Sequence, residues 1–186
     1  MPPPRPEVCP FEGCDGRMHR HGWYPRHVIV GDGRRVEFGV FRFRCAQCGR
    51  TVSFLPDFCV PNKHFCADVI CGVLGAVLLL ELSLRSVSAA DSVHNAASFS
   101  RYCAADWVGQ FRRNSHNLRH FGLPRLGIAT SAPRQDPGKL FERLLSFGAA
   151  RAGDARHSLR AVQRALSRPP PPFGLFRAQL LPGCVT

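Results

Sequence analysis

Two short cysteine pairs near the start of the chain constrain its fold more than any other feature. Cys9 and Cys14 lie in CPFEGC, Cys45 and Cys48 in CAQCG, and 30 residues separate the pairs. Zn2+ takes four soft or borderline ligands at tetrahedral corners, and four thiolates complete such a site with no position left for water. A site closed in this way holds structure together and does not activate a substrate. The expected cofactor is therefore a structural Zn2+ held by Cys9, Cys14, Cys45 and Cys48. C-x4-C is looser than the common C-x2-C knuckle, so His19 or His21 in place of Cys14, and Cys59 as a spare, stand as alternative ligands. Arg17, Arg20, Arg44 and Arg50 around the pairs favour the thiolate form.

The residues between the pairs read as a β-hairpin. RHVIV (26–30) and RVEFGVFRFR (35–44) are rich in β-formers, and Gly31-Asp32-Gly33 between them is a turn signal. In the second strand Val36, Phe38 and Val40 share one side, with Glu37, Phe41 and Phe43 on the other. The chain carries nine cysteines, an odd number, and MPPPRPEVCPF has no apolar segment of the secretory kind. A metal site in a reducing cytoplasm fits this better than a disulfide framework.

Past a connector bracketed by Pro56 and Pro61 comes the apolar run FCADVICGVLGAVLLLELSL. Asp68 and Glu81 leave only twelve uncharged positions between Val69 and Leu80, too few for a membrane span of about 20 residues. The run reads as a buried helix, and its cysteines Cys66 and Cys71 as core residues. LRSVSAADSV (84–93) reads as a short helix, His94 to Ala97 as a turn, and Ser98 or Ser100 as the cap of a longer helix reaching about Arg113. On that helix Cys103, Ala104, Trp107, Val108 and Phe111 share the apolar face. Tyr102, Ala105, Asp106, Gly109 and Arg113 lie opposite, with Arg101 and Arg112 at the border. This order of helices is that of a helix-turn-helix, which assigns Ser100, Arg101 and Tyr102 to base edges and Arg112 and Arg113 to phosphates. Further on, Asp136-Pro137 can start a helix with the stripe Leu140, Leu144 and Leu145. Another candidate begins at Asp154, with Arg156, Arg160, Arg164 and Arg168 spaced by four.

Net charge is +12 and pI about 10.1, carried almost wholly by arginine, since Lys63 and Lys139 are the only lysines. The guanidinium fork suits phosphate and guanine edges, so the charge points to a polyanionic partner, DNA. Nothing in the sequence groups the two or three carboxylates that a Mg2+-dependent nuclease needs, and no phosphate loop or nucleophile elbow is present. The expectation is a protein that is not an enzyme.

The first 124 residues resemble the N-terminal part of bacterial transposase-related proteins. The resemblance is carried by CPFEGC, HGWYPRHV, FRFRCAQCGRTVSFLPDF and a helical segment ending WVGQFRRN. Within it the RCxxCGRTxSxLP stretch maps to Arg44, Cys45, Cys48, Gly49, Arg50, Thr51, Ser53, Leu55 and Pro56. The resemblance implies a zinc ribbon followed by a DNA-binding helix-turn-helix. Such transposases continue into an acidic-triad nuclease domain, and the Arg/Pro-rich remainder here is unlike one. The expectation is an α+β protein with a zinc ribbon at residues 1–62 and a helical DNA-binding unit at 63–124. Residues 125–186 are expected to form a largely disordered basic tail. Two other readings use the same features: a zinc-ribbon module that docks a protein partner, and a truncated transposase or nuclease remnant.

Overall fold

The computed structural model describes residues 5–11, 13–56, 58–94, 99–129, 136–152 and 161–162. It is α+β, a three-stranded antiparallel sheet followed by helices. β1 (Met18–Ile29) pairs with β2 (Arg35–Cys45), and β2 pairs with β3 (Thr51–Phe54). The helices are α1 (Ala67–Leu78), α2 (Leu84–His94), α3 (Arg101–Asn117), a π-helical turn at Leu118–Gly122 running into α4 (Leu123–Arg125), and α5 (Pro137–Ala152).

The hairpin turn sits where Gly31-Asp32-Gly33 places it. Gly33 takes φ +81°, open to glycine without steric cost, and the Asp32 carboxylate accepts from the Arg34 amide at 3.0 Å. β1 starts eight residues earlier than the expected strand at Arg26, because pairing with β2 runs unbroken to Met18 opposite Cys45 apart from one irregularity. That irregularity is a bulge: Arg20 faces Phe43 and Gly22 faces Arg42, which leaves His21 as the extra residue. β3 was not expected; TVSF is too short to announce itself, and it pairs because the second cysteine knuckle turns the chain back against β2.

The two ends of the sheet are buried in different places. Met18, Phe43 and Cys45 pack with Cys9 under partly buried Phe41, Val52 and Phe11. At the hairpin end Val28, with Ile29, Val30 and Phe38, joins the helical core. Backbone hydrogen bonds splice that end to the helices: the Ile29 amide donates to the His64 carbonyl at 2.7 Å, and the Cys66 amide to the Ile29 carbonyl at 3.0 Å. The Arg26 guanidinium adds bonds to the carbonyls of Val60 (3.0 Å) and Lys63 (2.8 Å). The core is therefore continuous across residue 62.

Ser100 caps α3, its hydroxyl accepting from the Cys103 amide at 3.3 Å, as the spacing indicates. Ala104, Trp107, Val108 and Phe111 are buried; Cys103 is only partly so. Phe65, Phe99 and Trp107 form an aromatic cluster with centroids 5.2–6.0 Å apart. The turn expected at His94 to Ala97 lies outside the described residues beyond His94, as does Ser98. The helix expected from Asp136-Pro137 is α5, and its stripe is deeper than that of a loose tail: Leu140, Phe141 and Leu144 are fully buried, with Phe141 edge-on to Phe111 at 5.4 Å. Apolar spacing along α5 matches the groove beside α1 and α3, so packed structure continues past residue 124. The arginine series Arg156, Arg160, Arg164 and Arg168 lies outside the described residues; Val162, between them, is buried in the same core. No helix among the described residues is long and apolar enough to cross a membrane.

One buried charge ties the connector to α3. Lys63, 8% exposed, places its Nζ 2.6 Å from Asp106 Oδ2, and Gln110 donates to Asp106 Oδ1 at 2.7 Å. Partial burial alone raises the Asp106 pKa, but the bonds from Lys63 and Gln110 outweigh it and leave the carboxyl below its ordinary 3.8. A lowered carboxyl pKa contributes stability above the unfolded value, and that contribution fades as pH falls through the folded one. Asp106→Asn should cost about 1–2 kcal/mol at neutral pH, because Lys63 is left buried without its anion. In urea melts the gap from wild type should close as the pH drops below about 4. At Gly138 an added Cβ would stand 2.6 Å from the Leu78 carbonyl oxygen at the end of α1. Gly138→Ala should therefore push α5 off α1 and lower stability by about 1–3 kcal/mol, read from the same melts.

Candidate metal centre

The four cysteines of the two pairs converge at the sheet end away from the helical core. Each pair sits on a tight turn of backbone amides. In the first, the Cys9 amide donates to the Gly16 carbonyl at 2.9 Å and the Cys14 amide to the Phe11 carbonyl at 3.1 Å, with Gly13 at φ +74°. In the second, the Cys45 amide donates to the Arg50 carbonyl at 2.9 Å and the Gly49 amide to the Cys45 carbonyl at 3.1 Å, with Gly49 at φ +71°. The Ala46 amide reaches across to the Arg17 carbonyl at 3.0 Å and locks one turn against the other. Gly16 lies so close that a Cβ there would meet Cys45 Sγ at 2.6 Å.

The sulfur atoms all lie within 4.8 Å of one another; Cys9 and Cys48 are 3.7 Å apart and Cys14 and Cys45 3.6 Å. A disulfide needs about 2.05 Å, so these are free thiols. Tetrahedral metal–thiolate bonds of about 2.3 Å give sulfur–sulfur edges of about 3.8 Å. The arrangement is one that can hold a metal ion. Cys9 and Cys45 are buried, Cys14 and Cys48 partly so. His19 and His21 line a concavity beside the second turn but are not in the sulfur group, and Cys59 is buried in the helical core, so the cysteine set stands as expected and the alternative ligands do not join it.

The thiols are unequal. The backbone amides of Cys48 and Gln47 point at Cys45 and pull its pKa down to about 6. Burial pushes Cys9 up to about 12. Cys14 is raised as well, burial and the neighbouring Cys45 outweighing its backbone bond at Gly16.

The five residues assigned to nucleic acid fall on α3 or at its start. Ser100 Oγ is occupied as the cap. Arg101 and Tyr102 are exposed, Tyr102 by 71%, and the Arg101 guanidinium lies 5.1 Å over the tyrosine ring while donating to its hydroxyl at 3.2 Å. Arg112 and Arg113 are exposed further along. At 100° per residue, Arg101 and Arg112 are about 20° apart, and so are Tyr102 and Arg113. Ala105 and Gly109 fill the arc between, with exposed His116 beyond. What the sequence does not show is a grouping on the sheet: His19, Arg20, His21 and Arg44 around the concavity of the second knuckle, with Trp23 exposed nearby. Their grouping depends on the bulge at His21, which no local pattern announces.

Residues 9–95 match the family model described as a domain of unknown function (DUF6431). The matched span starts at the first cysteine, covers the sheet, α1 and α2, and stops before α3. No curated protein and no solved structure matches the chain.

Metal binding by these thiols must displace protons, so affinity should rise with pH. With Cys9 and Cys14 protonated at neutrality and Cys45 already ionised, competition titrations between about pH 6 and 8 should show affinity climbing steeply, with protons released on binding. Cys45→Ser should abolish tight binding. A pH-independent affinity would contradict this protonation scheme.

Proposed function

We propose that this chain is a non-catalytic, zinc-stabilised DNA-binding protein, similar to the DNA-binding part of a transposase. Four thiolates at tetrahedral edge distances suit Zn2+, whose filled d-shell imposes no other geometry, and a set closed by protein sulfur has no open position for chemistry. The metal stands in for the apolar core that the ribbon end lacks, since among the described residues the buried cluster there is Cys9, Met18, Phe43 and Cys45.

The observation that carries the DNA reading is the solvent arc of α3. Arginines stand at both ends, and the middle is Ala105 and Gly109, which let a helix approach a groove floor closely. Arg101 and Arg112 are eleven residues apart, about 16 Å along the axis, against a major groove about 12 Å wide between its phosphate walls. Arg112 and Arg113 at one end thus suit phosphates, and Arg101 and Tyr102 at the other suit base edges. Asp106, the acidic residue of this helix, lies at the edge of the same arc beside Arg113, and its charge is balanced by the Lys63 ammonium at 2.6 Å. The resemblance of the first 124 residues to transposase DNA-binding regions points the same way, and so does the net charge of +12.

A second reading, a protein-docking module, is favoured by Leu79, Leu80 and Leu82 at the end of α1, Leu80 being 68% exposed. It requires the zinc and no DNA affinity. Fluorescence anisotropy with duplex DNA separates the two. Binding should weaken steeply with salt, and Arg112→Ala and Arg113→Ala should each weaken it across sequences and reduce the salt slope by about one. Absence of binding at about 50 mM salt, where phosphate contacts are strongest, overturns the DNA reading.

A further inference from the structure

Among the described residues Trp23 is the most exposed aromatic residue of the sheet, at 64%. Its ring crosses Gly39 on the neighbouring strand, where a Cβ would meet the indole Cε3 at 3.3 Å. The missing side chain lets one face of the indole rest on the backbone and turns the other to solvent. Trp23 is paired with Phe41, which is paired in turn with Phe54 on β3, 37% exposed, so three aromatic rings cross the sheet in one row.

The bulge at His21 gives this row its charge. Residues three apart on a regular strand point to opposite faces. The extra residue reverses that parity, so Arg20, opposite Phe43, shares the face of Trp23, opposite Phe41. Arg20 also borders the concavity beside the second cysteine turn, whose His19 and Arg44, a cross-strand pair, lie on the opposite face. On this face the strands carry Arg20, Arg35 and one acidic residue, Glu37, which Arg35 meets at 3.5 Å.

We propose that the Trp23 face of the sheet is a contact surface for single-stranded DNA, an unpaired base stacking on the exposed indole while the adjoining phosphate lies on Arg20 at the bulge. The charge selects a polyanion, and the flat, open ring selects one with free base faces, which a duplex does not offer. The choice of DNA over RNA rests on the reading of α3 given above. A protein that grips duplex through α3 and an unpaired strand through the ribbon is suited to a junction or opened end.

The chain has two tryptophans, and Trp107 is buried at 3% exposure, so quenching by a ligand that stacks on an open ring reports on Trp23, and anisotropy of a labelled oligomer reports binding by variants that lack it. The full, zinc-loaded chain is titrated with a thymidine oligomer of about 12 nucleotides, a matching uridine oligomer and a duplex. Quenching by the thymidine oligomer is expected, with Trp23→Ala weakening its binding about 10-fold or more and Trp23→Phe recovering part of the loss. Metal content and circular dichroism of each variant check that the ribbon is intact. Arg20→Ala should weaken single-strand binding while duplex binding holds. Duplex binding without Trp23 quenching sinks this inference and leaves the function reading standing. Quenching by the single strand with no duplex affinity does the reverse. Binding of the uridine oligomer alone, or self-association in place of quenching, also overturns it.

Discussion

A cluster of four sulfur atoms organises the end of this molecule that hydrophobic burial cannot. Beneath Cys9 and Cys45, among the described residues, only Met18 and Phe43 are fully buried side chains, with Phe11, Phe41 and Val52 as partial cover. A cluster of that size does not offset the conformational entropy of two knuckles and three strands. The cysteine turns are prepared for an external contribution: glycines at positive φ, amides aimed at Cys45, and a carbonyl bond from one turn to the other. Such preorganisation moves the cost of arranging the ligands into folding, and a bound ion would return it as stability.

The opposite end of the sheet solves the same problem by splicing. Ile29 inserts between His64 and Cys66 through backbone bonds, and Val28 and Phe38 enter the helical core. One sheet therefore joins a small sulfur-lined cluster to a large apolar one, and its middle stays exposed on the side of Trp23. In that middle section, side chains are free of packing duties, and there the strands carry arginine, histidine and tryptophan. The helical half shows the same division. α3 commits one arc to Trp107, Val108 and Phe111 and leaves the opposite arc basic.

How far the sequence could be read depended on whether the relevant physics is local. The cysteine set was legible because metal coordination imposes ligand type and short spacing on each half of the site. The hairpin turn, the Ser100 cap and the faces of α3 were legible because turn chemistry, capping and helical periodicity act within a few residues. β3 was not, since four residues carry little pattern and their pairing is created by the knuckle before them. The depth of α5 was not either; its stripe at Leu140, Leu144 and Leu145 was visible, but the groove that receives it is built by α1 and α3.

By itself the sequence determined the α+β class, the four cysteines able to hold a metal and the sign of the charge, because each follows from residue type at short spacing. Tertiary structure alone decided where the charge is presented. Lys63 balances the charge of the acidic group at the edge of the exposed arc of α3, and the bulge at His21 turns Arg20 and Trp23 to one face. Both depend on partners dozens of residues away or on strand register, and neither is encoded in any local window of the chain.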